Sequence, residues 1–121
     1  MRLPILMVAE VLQNAIPEIN WFTNEVPTKM HTLPSLPVGR ILEINGNYDG
    51  YASQDPNFLV TSVQIDVWVS DMKQLEEYYF KIDDVMRADN IQCDYTEQTY
   101  EPDLEGARRI IKRYTIRQYI N

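Results

Sequence analysis

Few side chains in this 121-residue chain combine the type and spacing that catalysis requires. Nucleophilic catalysis by the single cysteine, Cys93, would need a base beside it. The single histidine, His31, is distant in sequence and lies in a proline-rich segment. A free cysteine on the apolar side of a strand is more often a small core residue. We therefore expect no base–nucleophile pair and no enzymatic activity.

Carboxylates offer a second possible chemistry, which is metal binding. Asp66, Asp83 and Asp84 could supply oxygen ligands. However, Asp83 and Asp84 are adjacent on a predicted helix, point in different directions, and are expected on its solvated face. No loop has the spacing of a calcium-binding motif, and none of the four glycines forms a phosphate loop. We expect neither a metal site nor a cofactor.

The composition is that of one soluble globular domain, with 45% hydrophobic and 24% charged residues. We expect a single domain over residues 1–121, because the chain is too short for two comfortable ones. No apolar run is long enough for a secretion signal or a membrane span. One cysteine agrees with a reducing compartment. These features predict a cytoplasmic protein without a membrane partner.

Charge is unevenly distributed along the chain. The net charge of −7 argues against general nucleic-acid binding, which depends on lysine and arginine neutralising phosphates. Acidic residues are concentrated from Asp83 to Glu105, whereas the segment from Arg108 to Arg117 is basic and contains no acid. A basic tail that binds DNA is one interpretation. The other, which we favour, is that two neighbouring strands pair with opposite charges facing each other.

The first third of the chain predicts a helix and a long loop. Pro4 suits a first helical position, and apolar residues from Ile5 to Leu12 share one face of a helix over Pro4–Ala15. The segment Ile19–Val26 predicts either a short strand or a packed loop. Three prolines then predict a long, exposed loop at about residues 26–38.

The clearest pattern lies between Leu59 and Met86. Apolar residues alternate from Val63 to Val69, which predicts a strand, and then recur at three and four residues, which predicts a helix from Met72 to about Ala88. Asp71 is a natural N-cap, and Gln74 can close a capping box.

Strands are predicted on both sides of this segment. Arg40–Ile44 is expected to pair with the strand that begins near Leu59, as an extended hairpin with the turn dipeptides Asn45-Gly46 and Asp49-Gly50 between them. Ile91–Tyr100 predicts a third strand, with Ile91, Cys93 and Tyr95 on one side, and Ala107–Ile120 a final one. The order α-β-β-α-β-β predicts an α+β fold in which two helices pack on a mostly antiparallel sheet.

Aromatic residues point to binding. Tyr48 and Tyr51 lie at the predicted hairpin tip, where burial is difficult. Trp68 lies on the polar side of its strand, so it is either exposed on one sheet face or covered there by the first helix. Exposed tyrosine and tryptophan are frequent interface anchors. One hypothesis is therefore a small monomeric adaptor or regulatory domain that binds a host protein through Tyr48, Tyr51 and Trp68.

A family resemblance supplies a second hypothesis. The opening helix followed by INWFTNEVP, the proline-rich loop, the VQIDVWV strand leading into a capped helix, and the closing RRIIKRYTIRQY resemble tail-completion proteins. These are the tail-terminator, or minor tail, proteins of long-tailed phages and prophages of Gram-positive bacteria. The resemblance spans nearly the whole chain and includes its size and element order.

The resemblance implies a structural role. Members of this family are α+β proteins without enzymatic activity or cofactor, and they assemble as a ring, typically a hexamer, at the head-proximal end of the tail tube. The ring stops tube polymerisation and presents the surface to which the head connector docks. The implied locations are the host cytoplasm during assembly and then the virion tail. No catalytic motif exists in the family, so no site residue follows from the resemblance.

Interface residues are instead suggested by the chain itself. A ring requires contacts between two different patches on each subunit. The acidic block before Glu105 and the basic strand with Arg108, Arg109 and Arg113 could supply such patches, and Tyr48, Tyr51 and Trp68 are the aromatic candidates. Because the net charge is negative, a ring of these subunits would surround a channel without binding the DNA that passes through it.

Overall fold

The computed structural model describes residues 2–52 and 54–120. Within these ranges it contains two helices, five strands and two short 3₁₀ turns, at Thr28–Met30 and Leu33–Ser35. The elements are α1 (Pro4–Ala15), β1 (Asn20–Thr23), β2 (Val38–Asp49), β3 (Phe58–Val69), α2 (Met72–Ala88), β4 (Cys93–Tyr100) and β5 (Arg108–Tyr119). The predicted α+β class and helix bounds are confirmed. The short β1 adds one strand, in the segment where a strand or a packed loop was expected.

The strands form one sheet in the order β1-β2-β3-β5-β4, with β1 parallel to β2 and the other neighbours antiparallel. Both helices pack on the face that carries Val63, Ile65 and Val67, which we call the helix face. The opposite face carries Gln64, Asp66 and Trp68, and we call it the open face. Among the described residues, neither helix is long and apolar enough to cross a membrane.

The junction between β3 and α2 is held by side-chain caps. Asp71 Oδ1 accepts a hydrogen bond from the backbone N–H of Gln74 at 2.8 Å, which confirms the predicted N-cap. The return bond differs from a standard capping box, because Gln74 Oε1 accepts from the backbone N–H and the hydroxyl of Ser70, at 3.1 Å each. The cap therefore ties the end of the strand to the first helical turn.

The β2–β3 hairpin is longer than predicted. Strand β2 continues through Asn45-Gly46 to Asp49, so this dipeptide lies inside a strand and not at a turn. A register shift between Glu43 and Asn45 marks a bulge that lets the strand continue, and Gly46 then pairs with Thr61. Because β1 pairs with β2 only as far as Ile41, the hairpin beyond that point has no neighbouring strand on its β2 side in the part of the chain that the structure describes.

A second bulge, in β4, changes the sheet face on which the following side chains lie. The strand begins at Cys93, and its register shifts between Cys93 and Tyr95. Cys93 pairs with Tyr114, whose side chain is on the helix face, whereas Tyr95 pairs with Arg113 on the open face. The prediction that Ile91, Cys93 and Tyr95 lie on one side of the strand is therefore wrong, because side chains alternate strictly between the two faces only in a strand without a bulge.

Candidate interaction surfaces

Asp66 is the centre of a polar network on the open face. Its carboxylate is fully buried, and each oxygen accepts two hydrogen bonds from one guanidinium group. Arg40 donates to Oδ2 through Nε at 3.1 Å and Nη2 at 2.8 Å, and Arg109 donates to Oδ1 at the same two distances. Gln64 Nε2 adds contacts at 3.1 and 3.2 Å. The carboxylate is thus saturated by protein donors, which suits a cross-link between β2, β3 and β5.

Trp68 lies beside this network and is only 4% exposed. The guanidinium groups of Arg40 and Arg109 lie 5.4 and 5.2 Å from its ring centroid, and its indole N–H donates to Glu101 at 2.6 Å. The ring of His31 packs edge-on at 5.5 Å. Trp68 is therefore not an exposed anchor, and the element that covers it is not α1, which lies on the other face.

The proline-rich loop is the cover that sequence inspection missed. His31, predicted to be exposed, is half-buried against Trp68, and Met30 and residues 35–37 are also partly buried. The loop thus packs across one end of the open face. The signal for this packing is weak in the sequence, because a solvated loop and a packed loop share the same proline-rich composition.

A second polar cluster joins α2 to the helix face. Lys112 is fully buried, and its ammonium donates to Asp83 Oδ2 at 2.9 Å and to the Thr96 hydroxyl at 3.0 Å. The hydroxyl of Tyr114 donates to Asp83 Oδ1 at 2.5 Å, and burial together with this bond raises the pKa of Tyr114. Asp83 was expected to be solvated; it instead faces β5, while its neighbour Asp84 is exposed as predicted.

Cys93 has the character of a structural residue. Burial is the main reason that the pKa of its thiol is raised, and the Asp83 carboxylate adds to the effect. Its Sγ donates to the backbone oxygen of Tyr95 at 3.0 Å. A raised pKa keeps the thiol protonated and weakly nucleophilic. Within the described residues, no three of the possible metal-binding side chains are clustered.

A groove of about 630 Å³ lies between α1, the end of α2 and β5. Its floor is apolar and includes Val8, Met86 and Ile116. At its rim, Arg2 pairs with Glu10 at 2.5 Å. The volume would admit a small ligand. The described residues around it include the carboxylates of Glu10 and Asp89 but neither histidine nor cysteine.

Strands β4 and β5 pair as predicted, but their charges do not face each other. In the observed register Arg109 lies opposite Thr99, Lys112 opposite Thr96, and Arg113 opposite Tyr95. The ion pairs of Arg109 and Lys112 reach other elements, namely Asp66 on β3 and Asp83 on α2. The predicted charge pairing across these strands is therefore wrong.

Three arginines of β5 rest on aromatic rings and make no ion pair within the described residues. Arg108 lies 4.3 Å from the ring centroid of Tyr100, and its Nη2 donates to Gln98 at 2.5 Å. Arg113 lies over Tyr95 at 5.2 Å, and Arg117 over Phe58 at 4.0 Å. Of the predicted arginine candidates, Arg109 is engaged by the Asp66 carboxylate, whereas Arg108 and Arg113 donate to the neutral side chains of Gln98 and Gln64, the latter at 2.9 Å.

The end of the hairpin that lies beyond the reach of β1, residues 43–52 and 54–57, forms what we call the arm. Tyr48 and Tyr51 are 59% and 63% exposed, and Ile44 is also exposed. The charged residues of the arm are Glu43, Asp49 and Asp55, with no lysine or arginine. The arm is thus an acidic segment that exposes two tyrosines: Tyr51 lies at the hairpin tip, as predicted, whereas Tyr48 lies within β2, opposite Leu59.

A small groove of about 270 Å³ lies between α2 and β4, and we call it the α2–β4 groove. Its lining includes Met72, Tyr79 and Phe80 of α2 and Gln98 of β4. Met72 and Phe80 are 58% and 61% exposed. The helical period alone does not distinguish these exposed apolar residues from those that face the core, so sequence inspection missed this surface.

No protein-family model matches the chain, and no curated protein is significantly similar to it.

Proposed function

We propose that this chain is a structural virion protein, a tail terminator that joins head and tail in a long-tailed phage or prophage of Gram-positive bacteria. In this proposal it forms a ring at the head-proximal end of the tail tube, with the tube protein and the head connector as partners. The observation that carries the proposal is the arm, whose β2 edge has no neighbouring strand among the described residues, while a different exposed patch lies at the other side of the sheet.

The internal chemistry of the fold supports a structural role. Asp66 and Lys112 are the most deeply buried charges, and both are fully engaged in bonds between elements. Enzymes instead keep ionisable groups directed into a cleft where a substrate can reach them. Here the groups act as cross-links that hold β2, β3, β5 and α2 in place.

The strand order supports a ring. A closed ring is built from contacts between two unlike patches, which must lie on different sides of the subunit. The arm belongs to the β2 side of the sheet, and β4 is the edge strand on the opposite side. A symmetric dimer through two arms is disfavoured, because each arm carries only negative charges.

The net charge suits a channel through which DNA passes. At −7, the chain repels the phosphate backbone and lacks a surplus of cations for tight nucleic-acid binding. A ring of such subunits would surround DNA without holding it.

The proposal is tested by adding the purified chain to tail tube protein during tube assembly. We expect tubes capped at one end by a ring, visible by electron microscopy, and a halt in growth from that end. Tubes that grow equally long with and without the chain, with no ring at either end, would contradict the proposal.

A monomeric adaptor is the second candidate, because Tyr48 and Tyr51 are exposed enough to anchor a partner. This hypothesis lacks its third predicted anchor, since Trp68 is buried. The same tube experiment separates the two functions. A chain that remains monomeric at high concentration and leaves tube growth unchanged favours the adaptor.

A further inference from the structure

We propose that the arm of one copy docks in the α2–β4 groove of the next copy, with Tyr51 packing against Phe80. This inference rests on the proposed ring and names the two patches that form it. The occupant of the groove is therefore a second copy of this chain.

The arm has the features of a docking element. Tyr48 and Tyr51, each with more than half of its surface exposed, belong to a residue type that is enriched among binding anchors. The backbone edge of β2 from Leu42 to Asp49 is also unpaired in the described chain. Natural proteins usually shield edges of this length. An arm that is exposed on its tip, its faces and its edge is best explained by a contact made outside the subunit.

The groove has the complementary shape and character. Its volume of about 270 Å³ is below the range of most small-molecule pockets, about 300–1,000 Å³, and suits one or two inserted side chains. Met72 and Phe80 form an exposed apolar surface around it, and Tyr100, 71% exposed, lies nearby on β4. Clustered exposed apolar residues are typical of protein-binding sites.

Charge favours this pairing of patches. Arg108 donates to Gln98, which lines the groove, and it makes no ion pair within the described residues. The arm brings Glu43, Asp49 and Asp55 and no cation. Glu76 also lines the groove, so Arg108 is needed to make its rim attractive to the arm. The larger groove beside α1 holds Arg117 as well as the Arg2–Glu10 pair, but its volume of about 630 Å³ lies in the small-molecule range, so the α2–β4 groove is the better match in size for an inserted side chain.

The sides of the sheet also fit. In the order β1-β2-β3-β5-β4, the arm and the α2–β4 groove lie on opposite sides of the subunit. A contact between them leaves the arm of one copy and the groove of the other unoccupied. Copies can therefore be added head to tail until the ring closes.

The test uses two single variants of the full chain, Tyr51→Asp in the arm and Phe80→Asp in the groove. Both side chains are exposed, so each variant should retain its circular dichroism spectrum and Tm. We expect each variant to assemble at least about 30-fold more weakly than the wild type, as for a central interface anchor. Leu6→Asp is the matched control, because Leu6 is an exposed apolar residue of the other helix and should assemble normally.

Mixing the two variants gives the decisive measurement. The intact groove of the Tyr51→Asp subunit can receive the intact arm of the Phe80→Asp subunit. The arm of the first subunit and the groove of the second both carry a substitution, so no further copy can be added. We expect one-to-one heterodimers and no larger species by native mass spectrometry. If the wild type forms rings and both variants form them as readily as Leu6→Asp, the arm–groove contact is refuted while the ring stands.

A cross-link covers the case in which rings form only at high concentration. In a Cys93→Ser background, Tyr51→Cys combined with Phe80→Cys should give a ladder of disulfide-linked copies when an oxidant is added. A ladder supports the contact, and its absence at concentrations where the wild type assembles overturns it. Cross-linked dimers that grow no further would keep the contact but refute the ring.

Discussion

The buried carboxylate of Asp66 provides the sharpest test of how the open face is held together. In Asp66→Asn, Arg40 and Arg109 lose their shared negative partner and face an amide group that offers them only one acceptor. Removing one member of a buried ion pair typically costs 3–5 kcal/mol. Each guanidinium group is about a quarter exposed and can recover some hydration. We therefore expect the lower end of that range, about 3 kcal/mol of unfolding free energy.

Urea denaturation measures this change. Trp68 lies against both arginines, so its fluorescence reports unfolding of the region that the substitution affects. For a domain of this size, about 3 kcal/mol corresponds to a fall in Tm of roughly 12 °C. Asp84→Asn is the control, because the Asp84–Arg87 pair is exposed on both sides and should contribute less than about 1 kcal/mol.

A cost of less than about 1 kcal/mol for Asp66→Asn, or one equal to that of Asp84→Asn, would refute the assignment of Asp66 as a structural cross-link. A triple variant refines the test. Replacing Asp66 with leucine and both arginines with methionine removes all three charges together, and such replacements are often neutral. We expect the triple variant to recover most of the lost stability.

Three further predictions follow from the same structure. In Gly39→Ala, the new Cβ would lie 2.3 Å from Cε3 of Trp21. We therefore expect the free energy of unfolding, measured by urea denaturation, to fall by at least about 2 kcal/mol. Gly46→Ala is the control, because its methyl group has space and should lower the free energy of unfolding less. Burial raises the pKa of Tyr78 to about 12, above the value near 10 of an unfolded tyrosine, so the folded chain retains a proton that the unfolded chain releases. The titration of Tyr78 should therefore leave the free energy of unfolding unchanged below about pH 10 and should lower it as the pH rises toward 12. An equally steep fall in Tyr78→Phe would show that Tyr78 is not the cause. Finally, the negative net charge predicts no shifted DNA band at physiological salt, and a tight complex there would refute the argument from charge.

The spacing of apolar residues predicted the helices and strands well where the periodicity is strong and uninterrupted. The period of two from Val63 to Val69 and the change of period at Asp71 located β3 and α2 to within a residue or two. Pro4 and the apolar face of the first segment located α1. These features depend on neighbouring residues only, so they can be recognised without knowing which elements pair.

The errors arose where the backbone departs from regular alternation. Asn45-Gly46 favours a turn, but the bulge after Glu43 lets β2 run through it. In β4, one shifted residue moves Tyr95 to the face opposite Cys93. A bulge depends on the partner strand as well as on the bulged residues, and a single sequence does not specify the partner's register.

The same limit explains why the polar side of β3 was misjudged, and it bears on function. Gln64, Asp66 and Trp68 alternate with valines as residues of a solvated face do, yet arginines from β2 and β5 converge on Asp66 and the proline-rich loop covers Trp68. Only the register of three strands brings these groups together. Once they are engaged, the open face offers fewer anchors than its composition suggests, and the strongest exposed candidates are the arm and the α2–β4 groove. If assembly is the role of this chain, variants in those two surfaces should change assembly without changing stability, whereas Asp66→Asn should change stability.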